Sequence, residues 1–373
     1  MNSPLRSLLK TTVLILLLGG ASAQAVDTLT IAVVGPKSGP GSPFGEMEFN
    51  GARMAAERIN AQGGGAGGRM LRILEIDDAC DPKQVQLTAN LVINQGIDFV
   101  VGHLCSGAIQ LAASIYEDEG VLLITPAATS PVLTTRGYRM IFRTIGSDSQ
   151  QGQVAGEYIA ERVKPKVMAV IHDKQSYGQG IAEQVRRTVE ARGVKVALFE
   201  GVIKGLTDFS PLLERLRKTG VDFVYYGGDS PELGRLLRQA REQGLQMRWM
   251  APEGAGNKDL CAIAGDACDG LLVTLPADFA QDPANAELVA AFKARNQDPS
   301  GPLVLPTYAA VQLIAESVTA TGSRDPRVIA EHLRKSTFKT PIGEVVYQDN
   351  GDLKNFRFAV YQWHKDGSRS LVQ

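Results

Sequence analysis

The 373-residue chain lacks most of what enzymes use. It has no G-x-S-x-G nucleophile elbow. It has no H-E-x-x-H, and the Gly-Lys dipeptide that a Walker A loop requires does not occur. Its four histidines, His103, His172, His332 and His364, lie far apart in sequence and form no ligand-spaced pair. None of its four cysteines stands in a C-x-x-C motif, which argues against a zinc ribbon or a thioredoxin-like site. No metal site and no cofactor is expected. No run of Lys or Arg occurs and the formal net charge is -1, so the clustered basic surface that nucleic acid needs is missing. Beyond the N-terminus no segment approaches the ~20 apolar residues that span a membrane.

What is present starts with an address. Arg6 and Lys10 precede the apolar run TTVLILLLGG, and small residues follow at Ala21, Ala23 and Ala25. Charged start, apolar middle and A-x-A end mark residues 1–25 as a secretory signal peptide, cleaved after Ala23 or Ala25. An exported protein sits in an oxidising compartment, where an even cysteine count suggests disulfides. Four cysteines allow three pairings. Proximity favours Cys261 with Cys268, which leaves Cys80 with Cys105.

The mature chain alternates short β-branched runs with longer amphipathic stretches. Leu29–Gly35 reads as a buried strand and Gly45–Asn60 as a helix, with Ala52, Ala55, Ala56 and Ile59 near helical spacing. LRILEIDD, DFVVG and VLLITP read as strands, and Pro82–Gln95 and Gly107–Glu119 as the helices between them. The rhythm restarts with the strand Lys166–His172, the helix Gly178–Arg192, the strand KVALFEG, the helix Phe209–Thr219, the strand DFVYYGG and the helix Pro231–Gln243. Gly270–Pro276 closes the series. Alternating βα units predict an α/β protein with parallel sheets covered on both faces, here in two units. Gly63–Gly68 formally fits G-x-G-x-x-G, but a helix precedes it and a strand follows. A dinucleotide loop needs the reverse order, so this tract is a turn.

The informative loops follow strands, at the edge where parallel sheets place ligands. After DFVVG comes HLCSG, with Ser106 expected to cap a helix. Free N–H groups and the helix dipole there also attract an anion. After VLLI comes TPAATSP, a small-residue loop with Thr129. Tyr177 precedes a helix in DKQSYGQG, and Glu253 lies in APEGAGN. Together these offer hydroxyls and helix N-termini to an anion and a carboxylate to a cation, which suits a zwitterion of amino-acid size. His103 and His172 stand at strand ends and read as structural; an exported hydrolase using Ser106 and His103 is the competing reading of another class.

From Leu29 to about Lys365 the chain resembles the leucine/isoleucine/valine-binding proteins of bacterial ABC importers. The blocks IAVVGPKSGP, DDACDPKQ, VVGHLCSG, YEDEGVLLITPAAT, HDKQSYGQG, DFVYYGG, PEGAGN and NGDLKNF carry the likeness. The resemblance implies a type I periplasmic binding protein: two doubly wound parallel-sheet lobes joined by a three-segment hinge and closing on a ligand. Residues 27–147 plus 277–356 would form lobe 1, and 148–276 plus 357–373 lobe 2. It implies a Cys80–Cys105 disulfide, with Cys261–Cys268 as an added staple. Ser106 would bind the α-carboxylate, the Ala127 carbonyl the α-ammonium, and Thr129 both. Tyr177 and Glu253 would join them on closure, Glu253 as counter-charge. The implied partners are an L-amino acid and the permease's membrane subunits, with the receptor a periplasmic monomer that catalyses nothing.

Two positions depart from that family. Phe44 replaces a Tyr or Trp beside the ligand side chain and keeps the pocket aromatic. Asp229 stands where a Tyr usually lines the side-chain pocket. Either it points to solvent and leaves a larger aliphatic pocket, or it selects a polar or cationic amino acid or a small amide. Gly107 also removes a hydroxyl near the carboxylate site.

Overall fold

A computed structural model describes residues 27–65 and 67–372. The signal segment 1–25 lies outside the described residues. Chain order begins β1 (Thr28–Gly35), α1 (Ser42–Ala61), β2 (Met70–Asp77), α2 (Pro82–Asn94), β3 (Phe99–Gly102), α3 (Ser106–Glu119), β4 (Leu122–Thr125) and β5 (Ile141–Arg143). These strands form one parallel sheet in the order β2-β1-β3-β4-β5. Successive side chains of a strand point to opposite faces. Ile31 and Val33 of β1 therefore join one core with Phe49 and Ala52 of α1, while Ala32 and Val34 join another with Val85 of α2 and Ile109 of α3. Burial on both faces explains why β1 reads as a continuous apolar run.

The chain then crosses into a second sheet through α4 (Asp148–Tyr158), followed by β6 (Met168–His172), α5 (Ser176–Ala191), β7 (Val196–Gly201), α6 (Ser210–Thr219), β8 (Phe223–Gly227), α7 (Ser230–Glu242), β9 (Arg248–Ala251), α8 (Asp259–Ala264) and β10 (Leu272–Pro276). It returns to the first unit with α9 (Ala286–Lys293), α10 (Val304–Thr321), α11 (Pro326–Lys335) and the hairpin β11 (Thr337–Thr340) and β12 (Gly343–Val346). It ends in the second sheet with β13 (Phe358–Trp363) and β14 (Arg369–Leu371), antiparallel at one edge of the order β14-β13-β10-β9-β8-β6-β7. The second sheet is also covered on both faces, by α6 and α7 on one side and α4 and α5 on the other.

The architecture is thus two α/β lobes joined by three passages of the chain. Backbone bonds tie the passages together: Arg143 N–H to the Gly351 carbonyl and Ala277 N–H to the Arg357 carbonyl. A small core of Ala127, Ile145, Leu303 and Phe358 fills the junction.

Candidate functional site

The strand-end loops of both lobes meet in one cleft. It encloses about 130 Å³, roughly ten times the ~10–15 Å³ that one water occupies by the same measure. Of the residues singled out from sequence, Phe44, Ser106, Ala127, Tyr177, Asp229 and Glu253 line it. Thr129 sits at its edge, its hydroxyl 3.5 Å from Glu253 Oε1. The lobes already touch: Gln110 Nε2 on α3 donates to Ser176 Oγ on α5 at 2.9 Å.

The lobe 1 wall presents hydrogen-bond donors. Cys105, bonded to Cys80, occupies the N-cap of α3 with extended backbone and makes no side-chain cap. Ser106 is therefore the first helical residue and not the cap expected from sequence. The leading N–H groups of a helix have no partner within it; here Ser106, Gly107 and Ala108 line the cleft. Ser106 Oγ accepts from Ser130 N at 3.4 Å, which ties it to the neighbouring loop. That loop is itself fastened. Thr125 Oγ1 accepts from the N–H groups of Ala127 and Ala128 and donates to the His103 carbonyl. Arg143 donates from below to the carbonyls of Ala128 and Ser130 and to Thr134 Oγ1.

The Cys80–Cys105 bridge closes a 25-residue separation at the edge of this wall. Restricting the unfolded chain over such a loop is worth about 3 kcal/mol. A double Cys80→Ser, Cys105→Ser variant is expected to lose about that much, read as a lower melting temperature by calorimetry; an unchanged melting temperature would remove the bridge from the stability of the cleft. Cys261 and Cys268 are likewise joined, in lobe 2 and away from the cleft lining.

The lobe 2 wall presents carboxyl groups. Tyr177 lies in the first turn of α5, which starts at Ser176, two residues earlier than the sequence suggested. A close approach sets it there: a Cβ on Gly178 would stand 2.6 Å from the Gly227 carbonyl, and one on Gly227 2.2 Å from the Gly178 carbonyl. Only two glycines let α5 rest on the end of β8 at that distance. Tyr177 OH accepts from Gly254 N at 3.1 Å and so steadies the turn carrying Glu253. Glu253 is 6 % exposed, and its Oε2 has no hydrogen-bond partner among the described residues.

A residue absent from the sequence reading stands behind it. Asp148, at the start of α4, is 1 % exposed and neither carboxylate oxygen has a partner among the described residues. Loss of water raises both carboxyls above the usual carboxylate range, and Asp148's charge pushes Glu253 further. Burying two carboxyls together without a cation is costly. The sequence signal was weak: Asp148 follows Ser147 in a capping box with Gln150, which gives it an ordinary first-turn role. Gln151, also buried, donates to the Thr274 carbonyl and Oγ1, leaving its Oε1 unpartnered. Lys204 and Asp173 line the cleft as well, and neither was anticipated.

His103 is not part of the cleft chemistry. Its ring is fully buried, with Nδ1 2.7 Å from Asp78 Oδ2 and Nε2 3.2 Å from Tyr116 OH. A hydrolase would need one of those nitrogens on Ser106. Both are committed instead to Asp78 and Tyr116.

Two lobes that close hydroxyls, helix N–H groups and a buried carboxyl around a small cleft define a ligand-trapping protein. Comparison with known proteins agrees. The sequence profile of the periplasmic binding protein family matches residues 28–368, and the chain belongs to that family. It is 55 % identical over 351 residues to the leucine-, isoleucine-, valine-, threonine- and alanine-binding protein of Pseudomonas aeruginosa, covering 94 % of each. It is 48 % identical over 359 residues to the leucine-specific-binding protein of Salmonella typhimurium, covering 96 % of this chain and 97 % of that one. Among solved structures, a leucine-binding protein from Thermotoga maritima superposes with a TM-score of 0.86 at 26 % identity, over 92 % of this chain and 98 % of that one.

Proposed function

We propose that this chain is the periplasmic receptor of an ABC importer and closes on a small aliphatic L-amino acid, of which leucine, isoleucine and valine are the first candidates. The names of its relatives support that ligand class. Residues 1–25 direct export, residues 27–147 plus 277–356 move as lobe 1, and residues 148–276 plus 357–373 move as lobe 2. The closed form docks on the permease.

The observation that carries the reading is opposed polarity in one cleft. Uncapped N–H groups of α3 and the Ser106 hydroxyl stand on one wall, and a buried carboxyl with a free oxygen stands on the other. The α-carboxylate takes the first set. The α-ammonium takes the Ala127 carbonyl, Thr129 Oγ1 and Glu253, with Asp148 adding charge from behind. The aliphatic side chain lies against Phe44, Leu104 and Leu303. Tyr177 and Glu253 belong to lobe 2, so their share of the binding energy arises only on closure, which is what shifts the population to the closed form.

Calorimetry of ligand-stripped mature protein against the twenty L-amino acids tests this. Leucine, isoleucine or valine is expected among the binders, and silence across the panel would sink the amino-acid assignment. The same titrations carry a second expectation. An ammonium beside Glu253 and Asp148 favours their ionised forms, so binding releases protons near neutral pH and affinity rises from about pH 5 toward 7. Observed enthalpies should differ between phosphate and Tris buffers. Equal enthalpies would take the carboxyl pair out of the ammonium site.

A further inference from the structure

A second space adjoins the cleft. Phe44, Leu104, the Cys80–Cys105 bridge, Lys204 and Asp229 line the cleft and also line this second cavity of about 440 Å³. The two spaces share that boundary, and the second is the larger. Its remaining wall comes from the start of α1 on lobe 1, including Ser42, and from the start of α7 on lobe 2, including Glu232.

The shared boundary is apolar on one side and acidic on the other. Phe44, Leu104 and the disulfide make the apolar side. Asp229 makes the acidic side, and its geometry is unusual for its position. It occupies the N-cap of α7, where an aspartate ordinarily accepts from a first-turn N–H, yet its carboxylate makes no such bond. Oδ1 lies instead against Gly254, beside Glu253: a Cβ on Gly254 would stand 2.8 Å from it. The carboxylate is therefore left to the cleft. Burial raises it above the usual carboxylate range, Lys204 opposes that rise and Glu232 on α7 adds to it. Asp229 in turn raises Asp173 at the end of β6. Glu232 is already engaged, by Gly205 N at 2.9 Å and by Arg235 at 4.0 Å. Exposed Asp259 adds a further acid to the rim. The one cation lining either space, among the described residues, is Lys204, exposed on the loop after β7. The acids thus outnumber their counter-charge.

We propose that the second cavity is a side-chain subsite for L-amino acids longer than leucine that end in an ammonium or guanidinium group, with Asp229 as the anchor. This rests on reading the first cavity as the α-amino-acid site. The ligand's methylenes lie along Phe44, Leu104 and the disulfide, and its charged end reaches past them, the arrangement that long cationic side chains favour. A charged terminus supplies what the acidic side lacks, so the protein takes basic amino acids besides the aliphatic ones.

Calorimetry with L-leucine, L-norleucine and L-lysine on the mature protein tests this. L-lysine is expected to bind roughly tenfold or more tightly than L-norleucine, which has the same chain without the charge. Asp229→Asn should lower L-lysine affinity roughly tenfold. Ser42 lines the second cavity and not the first, so Ser42→Trp should lose L-lysine while keeping L-leucine, and retained L-leucine binding shows that the variant is folded. L-leucine binding without L-lysine binding, or L-norleucine binding as tightly as L-lysine, overturns the subsite and leaves the first cavity's assignment standing. Silence toward all three overturns that assignment itself, and the subsite with it.

Discussion

Glu253→Gln is expected to weaken ligand binding by about 3 kcal/mol, roughly two orders of magnitude in Kd, while making the ligand-free protein more stable at neutral pH. The loss follows from burial. An ammonium taken from water into the cleft must find a counter-charge, and Glu253 offers a carboxyl oxygen that no other described residue uses. Glutamine keeps the shape and removes the charge. The gain in stability follows from the same burial with opposite sign. In the free protein the Glu253 carboxyl is held above its ordinary range by loss of water and by Asp148. The folded state therefore binds protons that the unfolded state has released. Stability from this group is complete below the unfolded value near pH 4 and is lost as pH rises through the raised folded value toward neutrality and beyond. Glutamine cannot ionise and escapes that loss. Titration calorimetry for affinity and scanning calorimetry for stability, both at pH 7.5, read the two effects. Affinity within threefold of the wild type would show that Glu253 is only a loop residue. A lower melting temperature would show that its role is structural.

Much of this was legible from the chain. The inner strands β1, β3, β4, β6, β8 and β10 stand out because parallel strands covered on both faces become continuous apolar runs between turn residues. The half-buried edge strands β2 and β7 stand out by their apolar and β-branched residues alone. Strand ends then predict where a ligand site lies: of the four residues read there, Ser106, Tyr177 and Glu253 line one cleft, and so do Ala127, Phe44 and Asp229, which the family resemblance supplied. What stayed hidden lacks periodicity. α10 is buried around nearly its whole circumference, so no polar stripe marks it. α4 packs through small residues: a Cβ on Gly152 would stand 2.6 Å from the Gln184 side chain, and one on Gly156 2.5 Å from Thr188. Small residues carry little hydrophobic signal, and with α4 unseen, Asp148 at its start was unseen too. β13 and β14 add an antiparallel edge to a parallel sheet, which an alternating βα pattern gives no reason to expect. Lys204 and Asp173 enter the cleft from the ends of β7 and β6, positions that no motif distinguishes.

The second large effect falls on a residue that lines no part of the cleft. Arg143→Met is expected to cost about 3–5 kcal/mol of stability and to weaken ligand binding as well. Arg143 is fully buried at the end of β5. Its Nε pairs with Asp352 Oδ1 at 2.7 Å, and its two terminal nitrogens donate to the Ala128 carbonyl, to the Ser130 carbonyl at 2.6 Å and to Thr134 Oγ1 at 3.0 Å. Methionine fills much of the volume and supplies no donor. It leaves the Ala128 carbonyl unpaired in the interior, leaves the Ser130 carbonyl only Leu133 N–H and the Thr134 hydroxyl only the Pro131 carbonyl, and strips a carboxylate of its cation. The affinity loss comes by another route. The loop from Ala127 to Ser130 holds its carbonyl and hydroxyl toward the cleft because Arg143 pins it from below. Once unpinned, it must be ordered by the ligand, at roughly 0.5–1.5 kcal/mol for each side chain fixed. Arg143 also offsets part of the burial that raises Asp148, so its removal raises that carboxyl further and should enlarge the proton release on binding. Arg143→Lys separates these effects. It keeps the charge near Asp148 but replaces a planar fork with a single ammonium. Proton release should then stay near that of the wild type while stability falls. If both variants melt and bind like the wild type, the loop is held by Thr125 and its own backbone. The fork that joins β5, the loop and Asp352 would then be incidental to the site.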